Sequence, residues 1–334
     1  MTRVSLAVWL LASLCLSLAS PAAPTKWMVT GYVQGRVTDT LDETPQTAST
    51  FQIRRAYMYV RGAVDEHITG TLLLAMQPTV RAEHAYAEYA AKPYMVRLGL
   101  VPLPLGYEIP LTSSRLVTLE RSQIVTDLVV KNGGQDIYFF DRGIFLYYLP
   151  AKGLNVSAAL INGQPVENSS GAEGLFTNDR NDGKPIVARV GYSIPGGEVG
   201  VSYYGGNRRV RTAASDGSQR LTLYAFDLAT NRGPFTIIAE AMAGTDGGIE
   251  KEGGYLTVAY RKEGSASQPY LRFDIEDQDT AAPNTNYKRL TAGYAYYLNP
   301  AAKVSLEYES IDAGAAFAPA QPNSRLTGQY QIIF

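Results

Sequence analysis

The sequence predicts an all-β chain, a transmembrane antiparallel β-barrel of about 16 strands with its long third external loop folded into the pore. Three observations carry that expectation. Sixteen segments have strand character, and most run roughly 9–13 residues, the length a tilted strand needs to cross a hydrocarbon layer. In the clearest segments apolar and polar residues alternate with period two. The connections alternate as well, short turns with long loops.

The segments lie near 26–38, 50–63, 66–77, 83–91, 94–101, 136–149, 153–163, 184–194, 197–207, 218–229, 234–244, 252–262, 268–277, 286–298, 302–312 and 324–334. An even number lets the first and last strands pair, which removes free sheet edges. Short turns at Asp65–Glu66, 149–153, 194–197, 230–233 and 298–301 carry mainly the Pro, Gly and Asn that tight turns need. Longer connections at 39–49, 102–135, 164–183, 205–217, 278–285 and 313–323 lie between them. That sorting puts short turns on the periplasmic rim and long loops outside.

The faces follow. Val304, Leu306 and Tyr308 alternate with Lys303, Ser305, Glu307 and Glu309. Leu271, Phe273 and Ile275 alternate with Tyr270, Arg272, Asp274 and Glu276. Leu326, Gly328, Tyr330, Ile332 and Phe334 share one side of the last segment, with Arg325, Thr327, Gln329 and Gln331 on the other. Such a strand, closed by an aromatic residue, resembles the last strand of a bacterial outer-membrane barrel. In 136–149 both faces carry aromatic residues, so the register there stays open. In 50–63 the adjacent Arg54 and Arg55 are expected to point opposite ways.

The first residues read as a secretory leader. Arg3 is followed by the uncharged apolar run Val4 to Leu18 and a small-x-small site, so cleavage is expected after Ala19, or as late as position 23. Residues 20–334 then form a single outer-membrane barrel domain. Cys15, the only cysteine, falls in the leader, which excludes disulfides and thiolate metal sites from the mature chain. Formal net charge is -1 and no basic run is long enough to track nucleic acid. Tyrosine, 23 against 10 Phe and 2 Trp, suits a lipid–water interface and is equally a good strand former.

A barrel this wide leaves room for an aqueous channel, so passive diffusion of small hydrophilic solutes is the default function. Selectivity would come from charges at the narrowest point. The candidate constriction is 102–135, far longer than an ordinary loop and too apolar to stay in solvent. Its charged candidates are Glu108, Arg115, Glu120, Arg121 and Lys131, with a local Glu120–Arg121 ion pair left open. Candidate lumen cations are Arg97, Arg189, Arg220, Arg272, Arg289 and Arg325, among carboxylates such as Glu88, Glu198, Asp274, Glu276, Glu307 and Glu309. Arg208, Arg209 and Arg211 open an external loop and would attract anions at the mouth or contact lipopolysaccharide. The alternative is a non-conducting structural or adhesive barrel.

Residues 51–135 carry a further resemblance. Phe51–Ala56 (FQIRRA) with Gly62, His84–Tyr89 (HAYAEY), Val96–Gly99 (VRLG), Pro104–Glu108 (PLGYE) and Thr112–Arg115 (TSSR) with Glu120–Ser122 (ERS) resemble the phosphate-selective porin O/P family of Gram-negative bacteria. The resemblance implies a trimeric outer-membrane porin of sixteen strands, embedded in lipid and lipopolysaccharide, that favours phosphate or polyphosphate. The family's anion-binding lysine has no matching position; Lys131 is the one lysine in the loop.

Catalysis is not expected. The two histidines, His67 and His84, fall at opposite strand ends, and no nucleophile, base and acid cluster emerges. No metal or cofactor is expected.

Overall fold

The computed structural model describes residues 26–41, 50–76, 80–130, 140–163, 183–211, 216–317 and 321–334. The leader and parts or all of six connections, Lys131 among them, lie outside these residues.

Sixteen strands form one closed antiparallel barrel. In chain order they are β1 Lys26–Thr40, β2 Thr50–Ala63, β3 Ile68–Ala75, β4 Arg81–Ala91, β5 Tyr94–Pro102, β6 Phe140–Tyr148, β7 Leu154–Ile161, β8 Ile186–Ile194, β9 Gly197–Arg211, β10 Asp216–Arg232, β11 Phe235–Asp246, β12 Ile249–Tyr260, β13 Ser267–Asp277, β14 Asn286–Asn299, β15 Ala302–Ala313 and β16 Ser324–Ile333. One α-helix, α1 Gln123–Val130, follows β5 in the long connection. β16 closes on β1 from Tyr32↔Ile333 to Thr40↔Arg325, and Phe334 and Gly31 exchange backbone bonds of 2.7 and 2.9 Å. Closure satisfies every strand's ladder and leaves no edge to aggregate.

Burial is inverted relative to a water-soluble protein. On β13, Leu271, Phe273 and Ile275 are 57%, 47% and 45% exposed, while Arg272, Asp274 and Glu276 between them are 2%, 0% and 4% exposed. β15 and β16 repeat the pattern, so the apolar faces read from alternation point outward. Apolar residues outside and charges inside are stable only where lipid surrounds the wall. No described helix is long and apolar enough to cross a membrane; the strands do the crossing. In β6, Asp141 and Phe145 face inward and Ile144 and Leu146 outward, which fixes a register the sequence left open.

Turns on one rim are short. Asp65, in the β2–β3 turn, accepts backbone N–H bonds from His67 (2.8 Å) and Ile68 (2.7 Å), which hold its carboxyl below the usual carboxylate range. The opposite rim is less uniform than expected. β9 extends to Arg211, shrinking the expected 205–217 loop, and β11 turns into β12 through Gly247–Gly248 alone. Both glycines have positive φ (60° and 93°), the twist a two-residue hairpin demands.

Candidate functional site

The connection from β5 to β6 is tied to inward-facing side chains around the barrel. Gly106 N–H donates to Ser202 Oγ on β9 (3.0 Å), and Tyr107 and Glu108 N–H donate to the Glu240 carboxylate on β11 (3.1 and 3.3 Å). Gln123 N–H donates to Asp274 on β13 (3.1 Å), and Leu119 N–H to Glu307 on β15 (3.0 Å). Wall cations and amides serve its carbonyls: Arg272 to Glu120 O (3.0 Å), Lys303 to Leu116 O (3.2 Å) and Gln331 to Ser114 O (3.1 Å). A loop that makes little regular structure thereby has its backbone groups paired by the wall.

Apolar packing explains the loop's composition. Leu103, Leu105, Ile109, Ile124 and Val125 form one cluster with Phe145, Val187, Leu221, Leu223, Ile238 and Met242 on β6–β11. The inward face of these strands is therefore apolar beneath the loop, where the sequence led to a polar lumen throughout. Arg220 is displaced for the same reason. Leu221 and Leu223 face inward to meet the loop, so Arg220 shares the exposed face of Tyr224 and Phe226 and is no lumen cation.

Gly106 is essential to this approach. Its φ is +64°, and a Cβ there would lie 1.6 Å from Glu240 Oε1. Gly106→Ala is expected to destabilise the barrel by about 1–3 kcal/mol, read as a lower denaturant midpoint with unchanged slope.

The remaining inward arginines of the sequence analysis are already partnered. Arg97 pairs with Glu88 (2.8 Å) and lies over the Tyr86 and Tyr147 rings. Arg189 pairs with Glu198 (2.5 Å) and Asp227 (2.6 Å). Arg289 bridges Asp274 (3.2 Å) and Glu309 (2.9 Å), and Arg325 shares Glu309 (2.5 Å). Arg272 pairs with Glu108, both 2% exposed. Arg208 belongs to strand β9 rather than a loop, and it is buried against Asp246 (2.8 Å). The side chains of Arg209 and Arg211 lie outside the described residues.

The loop candidates separate into different roles. Arg121 is buried and laces the loop to itself, donating to Glu108 O (3.1 Å), Leu111 O and Ser113 Oγ (2.9 Å). Burial lowers the pKa of its guanidinium, partly opposed by Glu108. Arg115, in the 3₁₀ turn Ser113–Arg115, is exposed. It lines a cavity of about 270 Å³ with Leu116, Lys303 and Gln331 near the short-turn rim.

Glu120 gathers three arginines on one carboxylate. Its Oε1 accepts from Arg36 Nη1 (2.6 Å) and Arg54 Nε (2.6 Å), and its Oε2 from Arg55 Nη2 (2.7 Å) and Arg54 Nη2 (3.1 Å). The local pairing with Arg121 gives way to this contact with β1 and β2. Arg54 and Arg55 do not point opposite ways. A bulge between Gln34 and Gly35 shifts the β1–β2 register there, so consecutive guanidinium groups reach one carboxylate. Burial alone would raise the Glu120 pKa, but Arg55, Arg54 and Arg36 together hold it well below the ordinary carboxylate value. Three cations on one anion leave two positive charges uncompensated within the cluster. Arg36, Arg54 and Arg55 were absent from the sequence-derived lumen set.

Among the described residues no group of three or more His, Cys, Asp or Glu could hold a metal. His67 sits in the β2–β3 turn, whereas His84 on β4 packs edge-on to Tyr59 and Phe140.

No protein-family model and no curated protein matches the chain. Solved structures do. An anion-selective porin from Comamonas acidovorans superposes with a TM-score of 0.68 at 13% identity, over 92% of this chain and 99% of that one. OmpT, an outer-membrane protein of Vibrio cholerae in its trimer form, gives 0.63 at 10% identity, over 92% and 99%. The outer-membrane channel DcaP of Acinetobacter baumannii gives 0.62 at 12% identity, over 95% and 99%. At these identities the likeness is one of fold, and the fold is a closed outer-membrane β-barrel, of sixteen strands in this chain.

Proposed function

We propose that the chain is an outer-membrane porin, a water-filled channel for passive diffusion of small hydrophilic solutes, with a preference for anions and no catalytic activity. The observation that carries the anion preference is the convergence of Arg36, Arg54 and Arg55 on the single carboxylate of Glu120. Fixed guanidinium groups in a low-dielectric wall attract anions without themselves changing protonation. The paired arginines elsewhere contribute little net field.

On this reading 102–135 is the constriction, with Glu108 and Arg121 holding its shape, Glu120 setting the local charge and Arg115 guarding the far side. Lys131 retains that assignment from the sequence. The neighbour named as anion-selective and the neighbour named as a trimer support an anion-preferring homotrimer; its setting in lipid and lipopolysaccharide follows from the outward apolar face and the sequence reading. Narrowing the anion to phosphate rests on the sequence resemblance alone; the arginine cluster asks only for negative charge.

Reversal potential in a planar bilayer across a KCl gradient tests the proposal. A potential on the chloride side is the expected result. A value at zero or on the potassium side would overturn the anion preference, and absence of any conductance would favour the structural barrel.

A further inference from the structure

We infer that the cavity between the loop and β1–β4 is a binding site for small aromatic carboxylates, the solute class this channel would take up selectively. The inference rests on the anion-preferring channel proposed above and adds a requirement that charge alone does not make.

The cavity measures about 310 Å³. It is lined on one part by Arg54, Arg55, Arg81 and Arg121, and on another by the rings of Tyr32, Tyr57 and Tyr59. Tyr32 and Tyr57 stack with centroids 5.0 Å apart and planes 17° from parallel, which holds the two rings in place at the cavity wall. Tyr57 is fixed further by donating its hydroxyl to Glu83 (3.0 Å). This surface is pre-ordered and loses little freedom when a flat ring lies against it.

The guanidinium side has a vacant donor. Arg54 spends Nε and Nη2 on Glu120, while Nη1 makes no hydrogen bond to a described residue, and its side chain is 37% exposed. Arg55 uses Nη1 on Gln34 (3.1 Å) and Nη2 on Glu120. Arg54 Nη1 can therefore donate a charge-assisted hydrogen bond to a ligand carboxylate. Glu83 and Glu120 are the carboxylates at this end, and both are engaged with arginines, Glu83 with Arg81 (3.0 Å) and Glu120 as described.

Each part selects against a different competitor. A hydrated inorganic anion gains nothing from the tyrosine rings. A neutral aromatic gains nothing from the arginines. The volume admits one ring with a small charged group.

The test uses full-length protein in planar bilayers at constant ionic strength, with benzoate, acetate and inorganic phosphate as blockers of chloride current. Benzoate is expected to block at about tenfold lower concentration than acetate or phosphate. Tyr57→Leu should erase the advantage of benzoate over acetate, and Arg54→Gln should weaken both. Calorimetry of benzoate binding to the detergent-solubilised barrel, folded state checked by circular dichroism, reads the same site independently of conduction. Equal block by benzoate and acetate, or benzoate binding unaffected by either substitution, would overturn the inference while a chloride-side reversal potential left the porin reading standing. A potassium-side potential with benzoate binding intact would do the reverse.

Discussion

Glu120→Gln is expected to increase chloride over potassium permeability several-fold, read as a larger reversal potential on the chloride side at the same KCl gradient. The substitution keeps the shape and one acceptor oxygen, but it removes the charge that Arg36, Arg54 and Arg55 share. Two uncompensated positive charges become three. Arg36 and Arg55 are 8% exposed, so water cannot screen the new charge as it would on an open loop. Glu120 itself is 26% exposed and Arg54 37%, which discounts the accompanying loss of stability to about 1–3 kcal/mol. An unchanged potential would place the conduction path away from this cluster.

The same carboxylate gives the selectivity a defined pH dependence. Arginine neighbours depress the Glu120 pKa in the folded state. Its contribution is therefore complete above the ordinary carboxylate range and is lost only as pH falls through the lowered folded value. The Glu120 contribution to wild-type selectivity is expected to stay constant through the ordinary carboxylate range, then to shift toward anions at still lower pH. Glu120→Gln should lack that acid limb, because it has no proton to take up. Recording reversal potentials of both proteins over an acid series checks this.

The barrel was legible because period-two alternation is a direct imprint of having lipid on one side of a strand and polar groups on the other. β13, β15 and β16 carry it cleanly, and their faces are those the alternation indicates. Where the loop covers the wall, that logic inverts. Leu221 and Leu223 are apolar and point inward because Leu103 and Leu105 cover them, and Arg220 is carried to the outer face as a result. The tilt of one strand toward two apolar neighbours, lipid and loop, cannot be separated by alternation alone. The arginine cluster was hidden for a different reason. A bulge adds one residue to a strand, and nothing in Arg54 and Arg55 as neighbours marks where the extra residue falls. The apolar residues of 102–135 did signal that the loop needs a wall to pack on, and Arg36 could have been suspected from its polar face on β1, between Gly35 and Val37.

Arg272→Ala is expected to cost about 3–5 kcal/mol, the largest loss of stability from a single side chain in the loop–wall contact. Arg272 and Glu108 are each 2% exposed, so removing the cation strands a carboxylate away from water. Arg272 also donates to Thr257 (2.8 Å) and to Glu120 O (3.0 Å), and its guanidinium lies 4.5 Å over the Tyr255 ring. Glu108 in turn accepts the Ser122 N–H (2.8 Å), which starts α1. The loss therefore reaches from β13 through the loop to the helix. If the cost is mainly the stranded charge, adding Glu108→Gln to Arg272→Ala should recover much of it, giving a large favourable coupling in a double-mutant cycle. Thermal unfolding of the folded barrel, followed by circular dichroism for wild type, both single variants and the double variant, measures that coupling. Simple additivity would mean that Arg272 stabilises the barrel through its packing on Tyr255 and its bonds to Thr257 and Glu120 O, rather than through the ion pair.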